Sequence, residues 1–188
     1  MRLRDVAMIA AAAPALTGCA APGLPAFKAT LSRHDSATAA LEEWCAARGI
    51  AHNSPVTATM IAAATLAGEG DDRTAEWRKA LAVGPNEPVG FRHVRLECGG
   101  VVLSEAYNWY VPALLTPEMN RELAATRMPF GKVAAPLGYR RELIESADGQ
   151  SGGCPPGIVL SHKAMLRLPD GRALALLVEC YTAANLTR

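Results

Sequence analysis

The sequence has almost no net charge and no long apolar run. Its 19 Lys and Arg residues oppose 18 Asp and Glu residues, a formal net charge of +1 over 188 residues. Proteins that bind nucleic acid through charge carry a basic stripe or cluster, and none appears here, so we expect no nucleic-acid partner. A helix that spans a bilayer needs an apolar run of about 18 residues or more, and the chain has none.

The chain also lacks the residue spacings of metal sites and of nucleophilic catalysis. It has no CxxC pair, its four histidines are scattered, and we therefore predict no metal site. Ser161 and His162 are neighbours, but adjacent residues of a strand point to opposite faces of a sheet. They are therefore poor candidates for a nucleophile and its base.

The first 19 residues have the features of a secretory signal. A basic start at 1–4 and a short apolar stretch at 6–16 precede Leu16-Thr17-Gly18-Cys19, which is typical of a lipobox. We predict a signal peptide at 1–19, lipidation of Cys19, a tether at 20–34 and one domain at 35–188. The protein would be a periplasm-facing lipoprotein that touches the membrane only through its lipid anchor. The alternative is an N-terminal helix or a frayed tail on a cytoplasmic protein.

The number of remaining cysteines is consistent with a protein that folds in an oxidising compartment. If Cys19 carries lipid, an even number is left, which allows two disulfides without indicating how they pair. These cysteines are Cys45, Cys98, Cys154 and Cys180.

A predicted strand pair at 91–112 contains the first candidate site residue. Arg92 shares one face of its strand with Val94 and Leu96, and Gly99 and Gly100 form the turn. An unpaired buried guanidinium costs several kcal/mol, so Arg92 needs an anionic partner. That partner is either a protein carboxylate or the carboxylate of a ligand.

Other segments predict a mixture of helices and strands. Ser36 or Asp35 is suited to cap a helix that ends near Arg48, and Thr116 to cap one that ends near Thr126. The break around Gly131 leaves a backbone free to approach another group closely. Further strands are predicted at 55–61, 138–147, 158–168 and 172–182.

The last of these strands contains the second candidate. Residues 173–178 are uninterruptedly apolar, as in a strand covered on both faces, and Glu179 follows directly. A carboxylate at the end of a buried strand must be paired, hydrogen-bonded or neutral. Glu179 either forms a salt bridge with Arg92, in a protein whose role is structural, or lines a pocket together with it.

Several short motifs follow one another along the chain, at 36–38, 55–61, 92–96, 129–132, 166–168 and 176–179. In their order and rough spacing they resemble the motifs of the chorismate lyases, enzymes that convert chorismate to 4-hydroxybenzoate and pyruvate in ubiquinone synthesis. The resemblance covers about residues 35–182. It implies an α+β fold with one antiparallel sheet of about six strands and helices packed on it, shared with the UTRA ligand-sensing domains.

The resemblance also implies site residues. Arg92 corresponds to the arginine that binds a carboxylate and Glu179 to the glutamate that binds a hydroxyl. The substrate-binding positions fall on Phe130, Gly131, Ala37 and Asn108. Ala37 stands where the family has a flap methionine, and Asn108 is the nearest counterpart of a second arginine.

The implied function is therefore a monomeric lyase that needs no cofactor and acts on an aromatic or cyclic carboxylate. Arg92 and Glu179 would be its catalytic residues and would hold the substrate in its reactive conformer. The alternative, favoured by Ala37, Asn108 and the lipobox, is a non-catalytic lipoprotein that binds a small aromatic acid in the same pocket.

Overall fold

The computed structural model describes residues 23–51, 54–66 and 72–187, which form one six-stranded antiparallel sheet with five α-helices. The order of strands across the sheet is β1-β2-β3-β6-β5-β4. The predicted α+β class with a single antiparallel sheet is confirmed. The strands are β1 Thr57–Leu66, β2 Val89–Cys98, β3 Val101–Tyr110, β4 Arg140–Asp148, β5 Ile158–Arg167 and β6 Ala173–Thr182.

The helices lie on both faces of the sheet, but unequally. Four of them pack on one face, which we call the helical face, and α3 packs on the other. The bounds are α1 Leu24–Ser32, α2 Ala37–Ala47, α3 Asp72–Leu81, α4 Pro117–Ala125 and α5 Phe130–Ala134. No helix among the described residues is both long enough and apolar enough to cross a bilayer.

The predicted caps form as expected. The Ser36 hydroxyl accepts a hydrogen bond from the Ala39 amide at the start of α2, and the Thr116 hydroxyl accepts one from the Met119 amide at the start of α4. Each satisfies an amide that has no partner within its own helix. The start of α2 matters because it lies beside the cavity described below.

The prediction of a tether over 20–34 is wrong for residues 24–32. Residues Leu24–Ser32 form α1, and Phe27 is fully buried in contact with the rings of Trp44 and Tyr181. Pro25 misled the interpretation, because proline is well tolerated in the first turn of a helix. Cys19 and the predicted signal peptide lie outside the described residues.

Two disulfides form, as the cysteine count allowed. Cys45–Cys98 joins α2 to the end of β2, and Cys154–Cys180 joins the loop after β4 to β6. The second bond lies in the apolar cluster on the face opposite the helical face. The loop at 149–157 is therefore attached to the opposite side of the sheet from the predicted site residues.

Candidate functional site

A small cavity of about 40 Å³ lies between the helical face of the sheet, the start of α2 and the first turn of α5. Its walls include every predicted catalytic or substrate-binding residue except Arg92, together with four polar residues. The predicted residues on the walls are Ala37, Asn108, Phe130, Gly131 and Glu179, and the polar residues are Asp35, Ser36, Thr38 and Tyr139.

Arg92 does not line this cavity, although residues next to it in the sheet do. Its backbone is paired with Asn108 across β2 and β3, and Val94, two residues along, lines the cavity. Arg92 is 2% exposed. Within the described part of the chain, its one side-chain hydrogen bond runs from Nη2 to the Met128 carbonyl oxygen at 3.5 Å, and Nε and Nη1 have no partner. Burial lowers the pKa of the Arg92 guanidinium below its usual value.

Glu179 does not pair with Arg92, so the structural alternative is wrong for this pair. Its Oε2 atom accepts a hydrogen bond from Arg141 Nη2 and another from the Tyr181 hydroxyl at 2.9 Å. The side chains of Arg141 and Glu179 are 7% and 3% exposed. Among the described residues no carboxylate forms a salt bridge with Arg92.

His162 completes the cluster around Glu179. Arg141 donates to His162 Nδ1 at 3.1 Å, and because a guanidinium can only donate, Nδ1 is the acceptor and Nε2 carries the proton. Burial lowers the pKa of His162 to about 4, although Glu179 acts in the opposite direction. Burial alone would also lower the pKa of Arg141, but the Glu179 carboxylate and the nearby Tyr181 and Tyr139 side chains together outweigh burial and raise that pKa.

Gly131 makes the close approach that its sequence context predicts. A Cβ atom at this position would lie 2.5 Å from Ser36 Oγ and 3.1 Å from the Tyr139 hydroxyl oxygen, so any other residue would have to displace the Ser36 side chain. The Tyr139 hydroxyl donates to the Gly131 carbonyl oxygen at 3.0 Å. Glycine thus lets α5 pack directly against the cap of α2.

Sequence reasoning missed Arg141 and its neighbours. Arg141 lies within the strand predicted at 138–147. It shares a face of that strand with Tyr139 and Leu143, as Arg92 shares a face of its strand with Val94. The same argument from a charge on an apolar face would have selected it. Tyr181 and His162 are identified by the pairing of β5 with β6, which places His162 opposite Glu179.

Comparisons with known proteins identify one relative by sequence. No protein-family model matches the chain. It is 38% identical over 179 residues to a Sinorhizobium fredii protein described as "Uncharacterized protein y4mC", and the match covers 85% of this chain and 73% of y4mC.

Several similar solved structures are described as transcriptional regulators or as domains of them. The effector domain of PhnF from Mycobacterium smegmatis matches 81% of this chain and 91% of that domain, with a TM-score of 0.57 and 15% identity. Full-length PhnF matches with a TM-score of 0.56 and 17% identity over 82% of this chain, which spans only 66% of PhnF. A ligand-binding domain from Bordetella bronchiseptica, described as GntR-family, has a TM-score of 0.51 at 15% identity, over 67% of this chain and 85% of that domain.

At these identities the likeness shows the fold alone, the α+β fold of UTRA domains and chorismate lyases. The predicted chorismate lyase is nevertheless contradicted, because the similar structures are ligand-binding domains of regulators and not lyases. The expectations of pyruvate elimination, of 4-hydroxybenzoate as product and of a role in ubiquinone synthesis are corrected with it. Catalytic roles for Arg92 and Glu179 have no support from these comparisons.

Proposed function

Since the chain belongs to the same family as y4mC of Sinorhizobium fredii and has the fold of UTRA domains, we propose that it binds a small organic anion without transforming it. The neighbouring effector and ligand-binding domains support a binding role. The observation that carries the proposal is Arg92, a buried guanidinium next to a cavity and without a carboxylate partner among the described residues.

The charge of Arg92 explains why the ligand is an anion. A buried cation with unpartnered Nε and Nη1 atoms is unfavourable by several kcal/mol. A carboxylate or phosphate group that reached it would satisfy both the charge and the free N–H groups, and the guanidinium fork fits such groups well. Ligand binding would therefore relieve a cost that the free protein carries.

Glu179 supplies the second contact of the proposed site. Its Oε2 atom accepts the bonds from Arg141 and Tyr181, which leaves Oε1 without a protein partner among the described residues. Because Glu179 lines the cavity, Oε1 can accept a hydrogen bond from a ligand hydroxyl or amine. A ligand with an anionic group and a hydrogen-bond donor matches both ends of the site.

The cavity must widen for such a ligand to enter. Its volume of about 40 Å³ holds only a few water molecules. Asp35, Ser36, Gly131 and Tyr139 line both this cavity and an outer cleft of about 330 Å³. Asp35 also borders a second cleft of about 640 Å³. We propose that the segment at 35–37 moves to join these spaces, as binding segments drawn from helix termini commonly do.

Calorimetric titration tests the proposal. The probes are benzoate, succinate and inorganic phosphate, with glucose as a neutral comparison. At least one anion should bind, and Arg92→Met should weaken that binding roughly 30-fold or more, because a buried charge pair is lost. The matched control is Arg95→Met, which removes a half-exposed arginine from the other face of the same strand and should leave affinity unchanged.

Two results would refute the anion site. One is equal affinity for an anion in the wild-type protein and in Arg92→Met. The other is binding of glucose together with no binding of any anion. Conversion of a bound probe into a new product, followed by mass spectrometry, would refute the claim that the ligand is left unchanged.

The lipoprotein N-terminus remains a separate proposal. It is supported by the lipobox at Leu16–Cys19 and by two disulfides, which persist in oxidising compartments such as the periplasm. Labelling with a radioactive fatty acid in a bacterial host should mark the wild-type protein and not Cys19→Ser. Equal labelling of both would exclude Cys19 as the lipidated residue.

A further inference from the structure

The edge strand β1 is uncharged, apolar and exposed. Its ten residues include no Asp, Glu, Lys or Arg, and the positions from Met60 to Thr65 are exposed to solvent, with Met60 at 38% and Ile61 at 42%. Its outer side is covered at the start, where the Ala58 amide donates to the Arg127 carbonyl oxygen at 2.7 Å. Beyond that point no strand of the described part of the chain pairs with the outer side of β1, whose inner side pairs with β2.

The opposite edge of the sheet differs in chemistry. β4 is also exposed, but five of its nine residues are charged: Arg140, Arg141, Glu142, Glu145 and Asp148. Charged side chains on an edge strand prevent its free N–H and C=O groups from pairing with another chain. The protein protects one edge in this way and leaves the other without charge.

We infer that β1 pairs antiparallel with β1 of a second copy, which joins two sheets across a twofold axis in a homodimer. A twofold axis brings the same residues together from both copies, and an uncharged strand does so without repulsion between like charges. Pairing of the free stretch Met60–Leu66 with itself would be centred on Ala63, where three consecutive alanines allow close approach. The dimer replaces the monomer expected from the sequence.

Ala62 and Ala64 are the positions that test this geometry. They pair with His93 and Phe91 of β2, so their side chains point away from the helical face and from Arg92. In the proposed dimer, residue 62 of one copy lies opposite residue 64 of the other. The test uses the double variants A62K/A64K and A62E/A64E of the full chain, with Cys19→Ser in every sample to exclude association through lipid.

Light scattering after size-exclusion chromatography should find a dimer for the parent protein and a monomer for each double variant. An equimolar mixture of the two double variants should regain the dimer, because opposite charges then meet. The matched control is Ile144→Lys, which places a lysine at a half-exposed apolar position of β4 and should remain dimeric. A monomeric parent at every soluble concentration, a dimeric A62K/A64K, or a mixture that stays monomeric would each overturn the inference.

Amide hydrogen exchange on the parent protein gives an answer that needs no substitution. Amides within Met60–Leu66 that point outward should exchange more slowly as protein concentration rises, since dimer formation protects them. Exchange in this segment that is independent of concentration would overturn the inference even if every double variant failed to fold.

Discussion

Arg92 and Arg141 are two buried arginines on the same face of one sheet, and their surroundings differ. The Arg141 side chain, 7% exposed, donates to Glu179 and to His162. Arg92, which is 2% exposed, donates to just one group among the described residues, the Met128 carbonyl oxygen at 3.5 Å. One guanidinium is neutralised within the protein and the other is not.

The difference separates a structural role from a binding role. A paired buried charge is satisfied in the free protein and holds its elements together, here β4 and β6. An unpaired buried charge persists against its desolvation cost, and such costs concentrate at binding and active sites. The predictions below test this distinction through stability, from the largest expected effect to the smallest.

Substitution Arg141→Met should destabilise the protein strongly. It leaves the Glu179 carboxylate buried without its cation, and breaking a buried ion pair in this way costs about 3–5 kcal/mol. Urea unfolding measures the change. The control Arg167→Met breaks the Arg167–Glu142 pair, which joins β4 to β5, and both of its side chains are more than a third exposed. Arg167→Met should lower the free energy of unfolding by under about 1 kcal/mol. An equal decrease in the free energy of unfolding of both variants would contradict the structural role of Arg141.

Stability should fall as the pH drops from about 6.5 toward 4, with His162 as one cause. The folded protein holds His162 at a pKa of about 4, while the unfolded chain has the ordinary value near 6.5. The unfolded state therefore binds the proton first, and the free energy of unfolding decreases in this range. The His162 contribution amounts to roughly 2 kcal/mol.

Unfolding by urea at pH 7 and pH 4.5 checks this contribution. His162→Gln should reduce the difference in free energy between the two pH values. His34→Gln, which alters a partly exposed histidine paired with Glu43, should keep most of it. The same pH dependence in His162→Gln as in the wild type would assign the loss to other groups.

Substitution Arg92→Met should stabilise the free protein slightly. It removes a buried charge that has no counter-charge and replaces it with an apolar side chain of similar length, for a gain of about 1 kcal/mol. Thermal unfolding measures the shift in Tm. A loss of stability comparable to that of Arg141→Met would show that Arg92 has a partner within the protein, and the comparison between the two arginines would fail.

Much of the site could be predicted from alternation along single strands. Arg92 was selected because it shares a face with Val94 and Leu96, and Glu179 because it follows an apolar run in β6. Both side chains are buried, as expected. Gly131 was selected as a close approach, and Ser36 and Thr116 as caps, because these depend on residues that are near in sequence.

The partners of these residues were not predictable in the same way. That Glu179 meets Arg141 and not Arg92 depends on the strand order, in which β6 lies between β3 and β5 with β4 beyond. The alternation of apolar and polar residues within each strand is compatible with several orders of the strands across the sheet. The N-terminal helix α1 was also missed, because its role comes from burying Phe27 against Trp44 and Tyr181, which are distant in the chain.

The amino-acid sequence by itself determined which segments are strands, which residues cap the helices and which charges must be buried, because periodicity and local hydrogen bonding act over a few residues. Only the tertiary structure decided which buried charge is paired, how the cysteines are joined and which edge of the sheet is left apolar. Those outcomes depend on contacts between residues far apart in the chain, and their geometry exists only once the sheet has formed.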